Sequence, residues 1–307
     1  MSSYSSICIC AFILSMVNEA FRPANATAIA HYSNKKNRTQ SFSLVRLAIN
    51  LGFGVGIGVG GLLASIDYHL LFWVDGCTNV VAALTLLVIL PKVTLEQQKK
   101  PQEEQSPDVT MKEDRSALKD RDFLFFLIFV VLFGICFFQV FTTVPIFMKE
   151  NLMLKESLIG IVMAMNGLVI ALFEMLIVYK LEGRRPYLYL ISLGTVLMAV
   201  AFLFLDIPLA NGFVVALLAV FILTIAEMVA MPFMNSYYIS RSPEKKRGQY
   251  AGFYTMAWSV AQVVGSSAGA ILAQKMGFLH LWWVVACLCL LAAGGFYWLL
   301  LKKIKLA

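Results

Sequence analysis

Apolar runs of helix length recur from one end of this chain to the other, and they restrict the fold before any motif is read. A run of about 18 or more apolar residues is long enough to cross a bilayer. Charge falls almost wholly between these runs: 14% of the 307 residues are charged while 60% are hydrophobic, and the mean hydropathy is +0.77. Soluble domains carry nearer to about a quarter charged residues. The chain therefore reads as an all-α integral membrane protein. Its net charge of +7 does not indicate nucleic acid, because the basic residues border apolar helices and form no patch on a folded surface.

Hydropathy and punctuation predict nine spans, over 5–31, 41–66, 70–90, 123–148, 157–181, 185–206, 211–240, 248–275 and 279–301. Only one long polar segment, rich in Lys, Glu, Gln and Pro, separates them. The expected organisation is a partial N-terminal helical half at 1–91 with three spans, a cytoplasmic linker at 92–122, and a C-terminal six-helix half at 123–307. Pro23, Pro145 and Pro232 lie inside spans and are expected to kink them. If the turn after the first span is cytoplasmic, alternation puts Lys35, Lys36, Arg38, Arg184, Arg185, Arg241, Lys245, Lys246, Arg247 and the C-terminal lysines on one side. Positive residues favour the inside, so a multi-pass protein of the plasma (inner) membrane with a cytoplasmic C-terminus is expected. The start, MSSYSSIC, lacks the basic region of a cleaved signal peptide.

The second span is the most informative. Gly52, Gly56 and Gly60 recur every four residues and leave one rib of the helix without side chains. In lipid, that spacing lets backbones approach closely, so these glycines are expected against another helix. A second copy of the stretch lies 209 positions on, where Pro23 falls on Pro232, Ser33 on Ser242, Arg38 on Arg247, Gln40 on Gln249, Gly56 on Gly265 and Gly60 on Gly269. Gly265 and Gly269 thus join the packing motif. Two parallel repeats follow, an arrangement in which one half rocks against the other around a midplane site. The offset implies that the first repeat begins about 85 residues ahead of Met1, so that three spans belong to an upstream segment.

With these features the sequence resembles the major facilitator superfamily. The run GIGVGG, Gly56 to Gly61, is similar to the helix-5 motif of drug:proton antiporters, with Ile57 where that motif has proline. EGRRP, Glu182 to Pro186, resembles the C-terminal echo of the family's signature loop through Gly183, Arg184 and Arg185, with Lys180 in place of the usual aspartate. The resemblance implies a twelve-helix fold represented by helices 4 to 12, lacking the first three. It also implies secondary active transport of a small organic solute, with proton-coupled efflux of the multidrug antiport type foremost. Proton-driven symport of peptides or sugars, or an inactive truncated fragment of a transporter, are the alternatives.

Ionisable groups inside spans are rare and costly, so each is a candidate. Glu227, Glu174 and Glu19 are the candidates for carrying a proton. Glu227 and Glu174 have no basic residue close by on the membrane side of their own helices, although Glu174 could reach Lys180 or Arg184 and Arg185 at the helix end. Arg22, Asn25, Arg46, Asn50, Gln139, Asn166 and Asn235 are expected to line a substrate cavity. The arginines would attract an anionic substrate group or poise a nearby carboxylate, or else Glu19 and Arg22 cancel one another or pair with Arg46 and Asn50. No nucleophile elbow, Walker loop or metal-spaced His or Cys set is present in the sequence, so neither an enzyme nor a metal site is expected, and no cofactor. The partners are then a small-molecule substrate, protons and the lipid bilayer, with the chain a monomer and no nucleic acid involved.

Overall fold

The computed structural model describes residues 4–34, 37–89, 116–207 and 211–305. They form helices with no strand among them: α1 (Tyr4–Tyr32), α2 (Arg38–Ile66), α3 (Tyr68–Ile89), α4 (Arg121–Phe137), α5 (Gln139–Glu150), α6 (Glu156–Leu181), α7 (Tyr187–Phe204), α8 (Gly212–Arg241) and α9 (Arg247–Lys305), with single turns at Ala117–Lys119 and Glu244–Lys246. Seven helical stretches among the described residues are long and apolar enough to cross a membrane: Tyr4–Tyr32, His69–Ile89, Arg121–Glu150, Glu156–Leu181, Tyr187–Phe204, Gly212–Arg241 and Glu244–Lys305. The nine expected spans differ from this set in two respects. Those at 248–275 and 279–301 lie within α9 on either side of a non-helical residue, Gly277, and so count once, and α2, 29 residues long, is not in the set.

Local chemistry accounts for the two interruptions. Gly277, inside α9, has φ 82°, a left-handed conformation open to glycine at little cost, and the chain turns there. His280 Nδ1 lies 2.8 Å from the carbonyl oxygen of Met276 at this turn. Between α4 and α5 the helix loosens at Phe138, seven residues ahead of Pro145 and not at the proline itself. The Thr142 hydroxyl donates to the Phe138 carbonyl there at 2.9 Å. By contrast, helix continues through both Pro23 and Pro232.

The chain divides into two compact units, 1–48 with 114–307, and 49–113. The first span and the start of the second thus group with the C-terminal helices. Of the linker expected at 92–122, only 116–122 are described. In the larger unit α7 packs on α8 and α9, α4 on α9, α6 on α8 and α1 on α9, around a core that includes Trp282, Tyr238, Phe126, Phe133, Phe202 and Phe233. Small residues set the closest approaches. A Cβ added to Gly194 would lie 2.7 Å from the Ala226 carbonyl, and one added to Gly265 would lie 2.9 Å from that of Ile135. A Cβ on Gly269 would collide with the Gln139 amide. In the smaller unit the expectation for the first copy is not met at two positions: Gly52 and Gly56 are exposed, with nothing among the described residues within 4 Å of an added Cβ. The surroundings of Gly60 lie outside the described residues.

One end of the larger unit is held by a clasp. Asp120 caps α4 by accepting from Phe123 N at 3.2 Å, and it accepts from Arg241 Nε at 2.7 Å and Tyr250 Oη at 3.1 Å. Asp122 accepts from Arg241 Nη2 at 3.1 Å and Lys302 Nζ at 2.6 Å. The starts of α4 and α9 and the ends of α8 and α9 thus meet on two carboxylates.

Gly269→Ala should lower the thermal stability of the purified chain by about 1–3 kcal/mol, because the Gln139 amide must move. Gly52→Ala should cost less than about 0.5 kcal/mol in the same assay. Burial pushes the Asp120 carboxyl up, but its hydrogen bonds and the Arg241 charge outweigh this and hold it below its ordinary value. A depressed carboxyl stabilises the fold above its unfolded value, about 3.9, and loses that contribution as pH falls through the folded value. Asp120→Asn should therefore lower the melting temperature at pH 7, and its gap from the parent chain should close below about pH 4.

Candidate functional site

The buried residues of α6 are Val162, Asn166, Ile170, Glu174 and Val178, spaced every four positions along one seam. Such spacing lines residues up on one face of a helix, so Asn166 and Glu174 point the same way two turns apart. On α8, Thr224 and Glu227 are three apart and share a face, and both are buried. On α2, Ser43 and Arg46 are likewise three apart. Three apolar helices thus each bring polar groups to one place.

Arg46 is the centre. Its Nη2 lies 3.4 Å from Glu174 Oε2 and 3.6 Å from Glu227 Oε2. The two glutamate side chains are 1% and 3% exposed and that of Arg46 16%, so water does little to screen these charges. Asn166 Nδ2 donates to Glu227 Oε1 at 3.2 Å and to Thr224 Oγ1 at 2.9 Å, and the Thr224 hydroxyl donates to the Val220 carbonyl at 2.7 Å. Among the described residues, neither oxygen of Glu174 has a hydrogen-bond partner within 3.5 Å, nor do Arg46 Nη1 and Ser43 Oγ. Two carboxylates face one guanidinium. Fully ionised, the cluster would hold one uncompensated negative charge; one proton or one monovalent cation would close the balance. An arrangement of this kind can exchange the one for the other.

The structure places the remaining sequence candidates as follows. Glu174 does not turn to Lys180, Arg184 or Arg185, and the apparent isolation of Glu227 ends at Arg46, an arginine from a distant part of the chain. Glu19 pairs with Arg22 at 3.5 Å on half-exposed α1, and the Ser259 hydroxyl reaches Glu19 at 3.5 Å. Neither joins Arg46. Of the two roles expected for the arginines, the geometry favours a place beside a carboxylate over attraction of an anionic substrate group, since both already face carboxylates. Gln139, expected on the cavity wall, is instead a buried hook: its Nε2 donates to the carbonyls of Ile135 at 2.9 Å and Gly265 at 2.8 Å. Asn25 and Asn235 are half-buried outside the cluster, and Asn50 is half-buried in the smaller unit.

Within the α6–α7 loop, Gly183 has φ 76° and Arg184 and Arg185 are exposed, the latter lying 5.8 Å over the Tyr189 ring. Glu182 accepts from Thr39 N at 3.1 Å, placing a carboxylate at the positive start of α2. Sequence reasoning missed Ser43 and the role of Glu182. The signal for Ser43 was its place one turn before Arg46. Among the described residues no group of three or more His, Cys, Asp or Glu side chains could hold a metal ion.

Breaking a buried pair by removing one partner costs about 3–5 kcal/mol, because the other charge is left uncompensated. Arg46→Gln should therefore destabilise the purified chain by roughly that amount. The triple change Arg46→Gln with Glu174→Gln and Glu227→Gln should recover most of the loss in the same thermal assay.

A family model described as Major Facilitator Superfamily matches residues 1–266 and 148–306. A Na(+), Li(+), K(+)/H(+) antiporter of Planococcus maritimus is 22% identical over 273 residues, which are 81% of this chain and 63% of that protein. Multidrug resistance protein 2 of Bacillus subtilis (strain 168) is 23% identical over 280 residues, 89% of this chain and 68% of that protein. The chain thus spans about two thirds of the length of these relatives. Among solved structures, a bacterial homologue of the iron transporter ferroportin in its outward-facing state aligns at a TM-score of 0.57 and 19% identity, over 88% of this chain and 66% of that one. That likeness bears on fold alone. The chain, helical and multi-pass, belongs to the Major Facilitator Superfamily.

Proposed function

We propose that this chain is a secondary active transporter that exchanges protons for a small cationic solute, as an efflux antiporter in the plasma membrane, acting as a monomer with its basic end and C-terminus in the cytoplasm. The observation that carries the reading is the single guanidinium of Arg46 set between the buried carboxylates of Glu174 and Glu227. With a proton on one carboxylate, Arg46 and the other form a neutral pair. Loss of that proton leaves a negative charge in a poorly solvated site, and a cation entering from the opposite side relieves it. Arg46 comes from the first repeat and the two glutamates from the second, so the proton count also sets how firmly the halves are joined at this point. A proton on Glu227 weakens its hold on Arg46 and lets α8 move away from α2.

Lipophilic organic cations of the multidrug type are the first candidates for the solute, in keeping with the relative named for multidrug resistance. A monovalent metal cation is the second reading. It is favoured by the oxygens of Glu174, which no hydrogen bond engages and which suit a small hard ion, and by the relative named as a Na(+), Li(+), K(+)/H(+) antiporter.

In proteoliposomes carrying a proton gradient, ethidium and Na(+) should be offered separately, with internal pH read by a trapped dye. Proton movement driven by one of them identifies the solute, and Glu227→Gln should abolish gradient-driven accumulation while leaving passive exchange. Transport indifferent to collapse of the proton gradient would overturn the coupling. If Glu227→Gln transports normally and Glu174→Gln does not, Glu174 carries the exchangeable proton.

A further inference from the structure

Arg38 and Arg247 occupy the same place in the two copies of the repeated stretch, and each is the first residue of its helix, α2 and α9. The first turn of a helix already carries unpaired N–H groups and partial positive charge. Each guanidinium adds a full charge to such an end. The charge of Arg247 also acts on Arg38, each disfavouring the other. Both are withdrawn from water, Arg38 being 7% exposed and the Arg247 side chain 17%.

Their partners do not account for them. Arg38 has no hydrogen bond or ion pair among the described residues, and the buried Nε of each arginine has no acceptor. Glu182, on the adjacent loop, uses one oxygen on Thr39 N, and its other oxygen is buried without a donor. Glu244 meets only Nη1 of Arg247, at 3.3 Å, and its side chain is 60% exposed. Tyr187 is the other polar group facing Arg38. Arginine cannot shed its charge by losing a proton, so a buried and unmatched one calls for an anion.

The free edge matters. Nε and one Nη of a guanidinium form the fork that takes two oxygens of a planar or tetrahedral oxyanion. Each fork lies at a helix start, with Glu182 on one amide of α2 and Glu244 on one nitrogen of Arg247, and the two guanidiniums act on one another through their charge. A carboxylate, with two oxygens, would occupy one fork; a phosphate has enough oxygens to meet both, and helix N-termini are ready-made phosphate sites. We infer that Arg38 and Arg247 form a binding site for a phosphate group, presented by a lipid headgroup or by free phosphate. The bound anion joins the starts of α2 and α9, one from each repeat.

The test uses the full chain in nonionic detergent at constant ionic strength set with chloride. Inorganic phosphate is titrated in one arm and dihexanoyl phosphatidylglycerol in the other, with melting temperature as the readout. A saturable rise in the phosphate arm identifies the free anion; a rise in the lipid arm alone identifies the headgroup. Either supports the site. Arg38→Gln or Arg247→Gln should each weaken the response about tenfold or more, the loss of one charged hydrogen-bonded partner, while Lys303→Gln on the exposed end of α9 should not. No saturable rise in either arm, or an undiminished rise in the double arginine variant, overturns the inference. Removing an unmatched buried charge should not lower the ligand-free melting temperature. Should a variant nevertheless fail to fold, hydrogen exchange on the parent chain decides, since slowed exchange at the first amides of α2 and α9 with either probe supports the site and unchanged exchange overturns it.

Discussion

A charge inside an apolar bundle must find an opposite charge there, and in this protein that requirement governs how the helices meet. Arg46 lies on a helix without an acidic residue, so no neighbour on its own helix can neutralise it. Glu174 and Glu227 are in the same position on α6 and α8. Bringing any one of them out of water alone would cost several kcal/mol. Bringing all three to one point turns that cost into a constraint on α2, α6 and α8 together, with Asn166 and Thr224 fixing the orientation of Glu227.

Around that point packing is set by small residues. Gly194, Gly134 and Gly265 mark the lines where α7 meets α8 and α4 meets α9, each leaving room for a neighbouring backbone or methyl group where a Cβ would not fit. Lipid offers no hydrophobic drive for helices to associate, so van der Waals contact and interhelical hydrogen bonds must supply it. The Gln139 hook across Gly265 and Gly269 supplies both. The first copy of the motif has the same glycine spacing but, at Gly52 and Gly56, no such neighbour among the described residues. Identical patterns therefore specify a surface, and the surroundings specify whether it is covered.

Much of the fold was legible because each bilayer-crossing helix declares itself. The ends expected at 66 and 181 coincide with those of α2 and α6, and the break expected between 275 and 279 falls at Gly277. Less of the site could be read. Helical periodicity tells which residues of one helix share a face, so Asn166 with Glu174 and Thr224 with Glu227 were open to inference. It does not tell which helix that face meets. Glu227 therefore looked isolated, Arg46 looked available to a substrate anion, and Gln139 looked like cavity lining, because all three judgements depend on neighbours far along the chain. The break at Phe138 escaped notice for a related reason: proline marks where a helix is weakened, and tertiary contacts choose where it yields.

The two charge clusters of the larger unit differ in a way that bears on their uses. At the clasp, Asp120 accepts from four groups and Asp122 from two, with short bonds from Arg241 and Lys302. Every charge there is met by directed hydrogen bonds, which fix geometry as well as supply energy. At Arg46 the contacts are longer, the Glu174 oxygens have no hydrogen bond within 3.5 Å among the described residues, and two carboxylates share one cation. A saturated cluster resists the arrival of a proton because bonds would have to break to admit it. An unsaturated one admits a proton or a cation without first breaking anything, and its Coulomb attraction changes at once when either enters. The clasp is therefore suited to keeping the ends of α4, α8 and α9 together, and the Arg46 cluster, on the proposed function, to registering which ion is present.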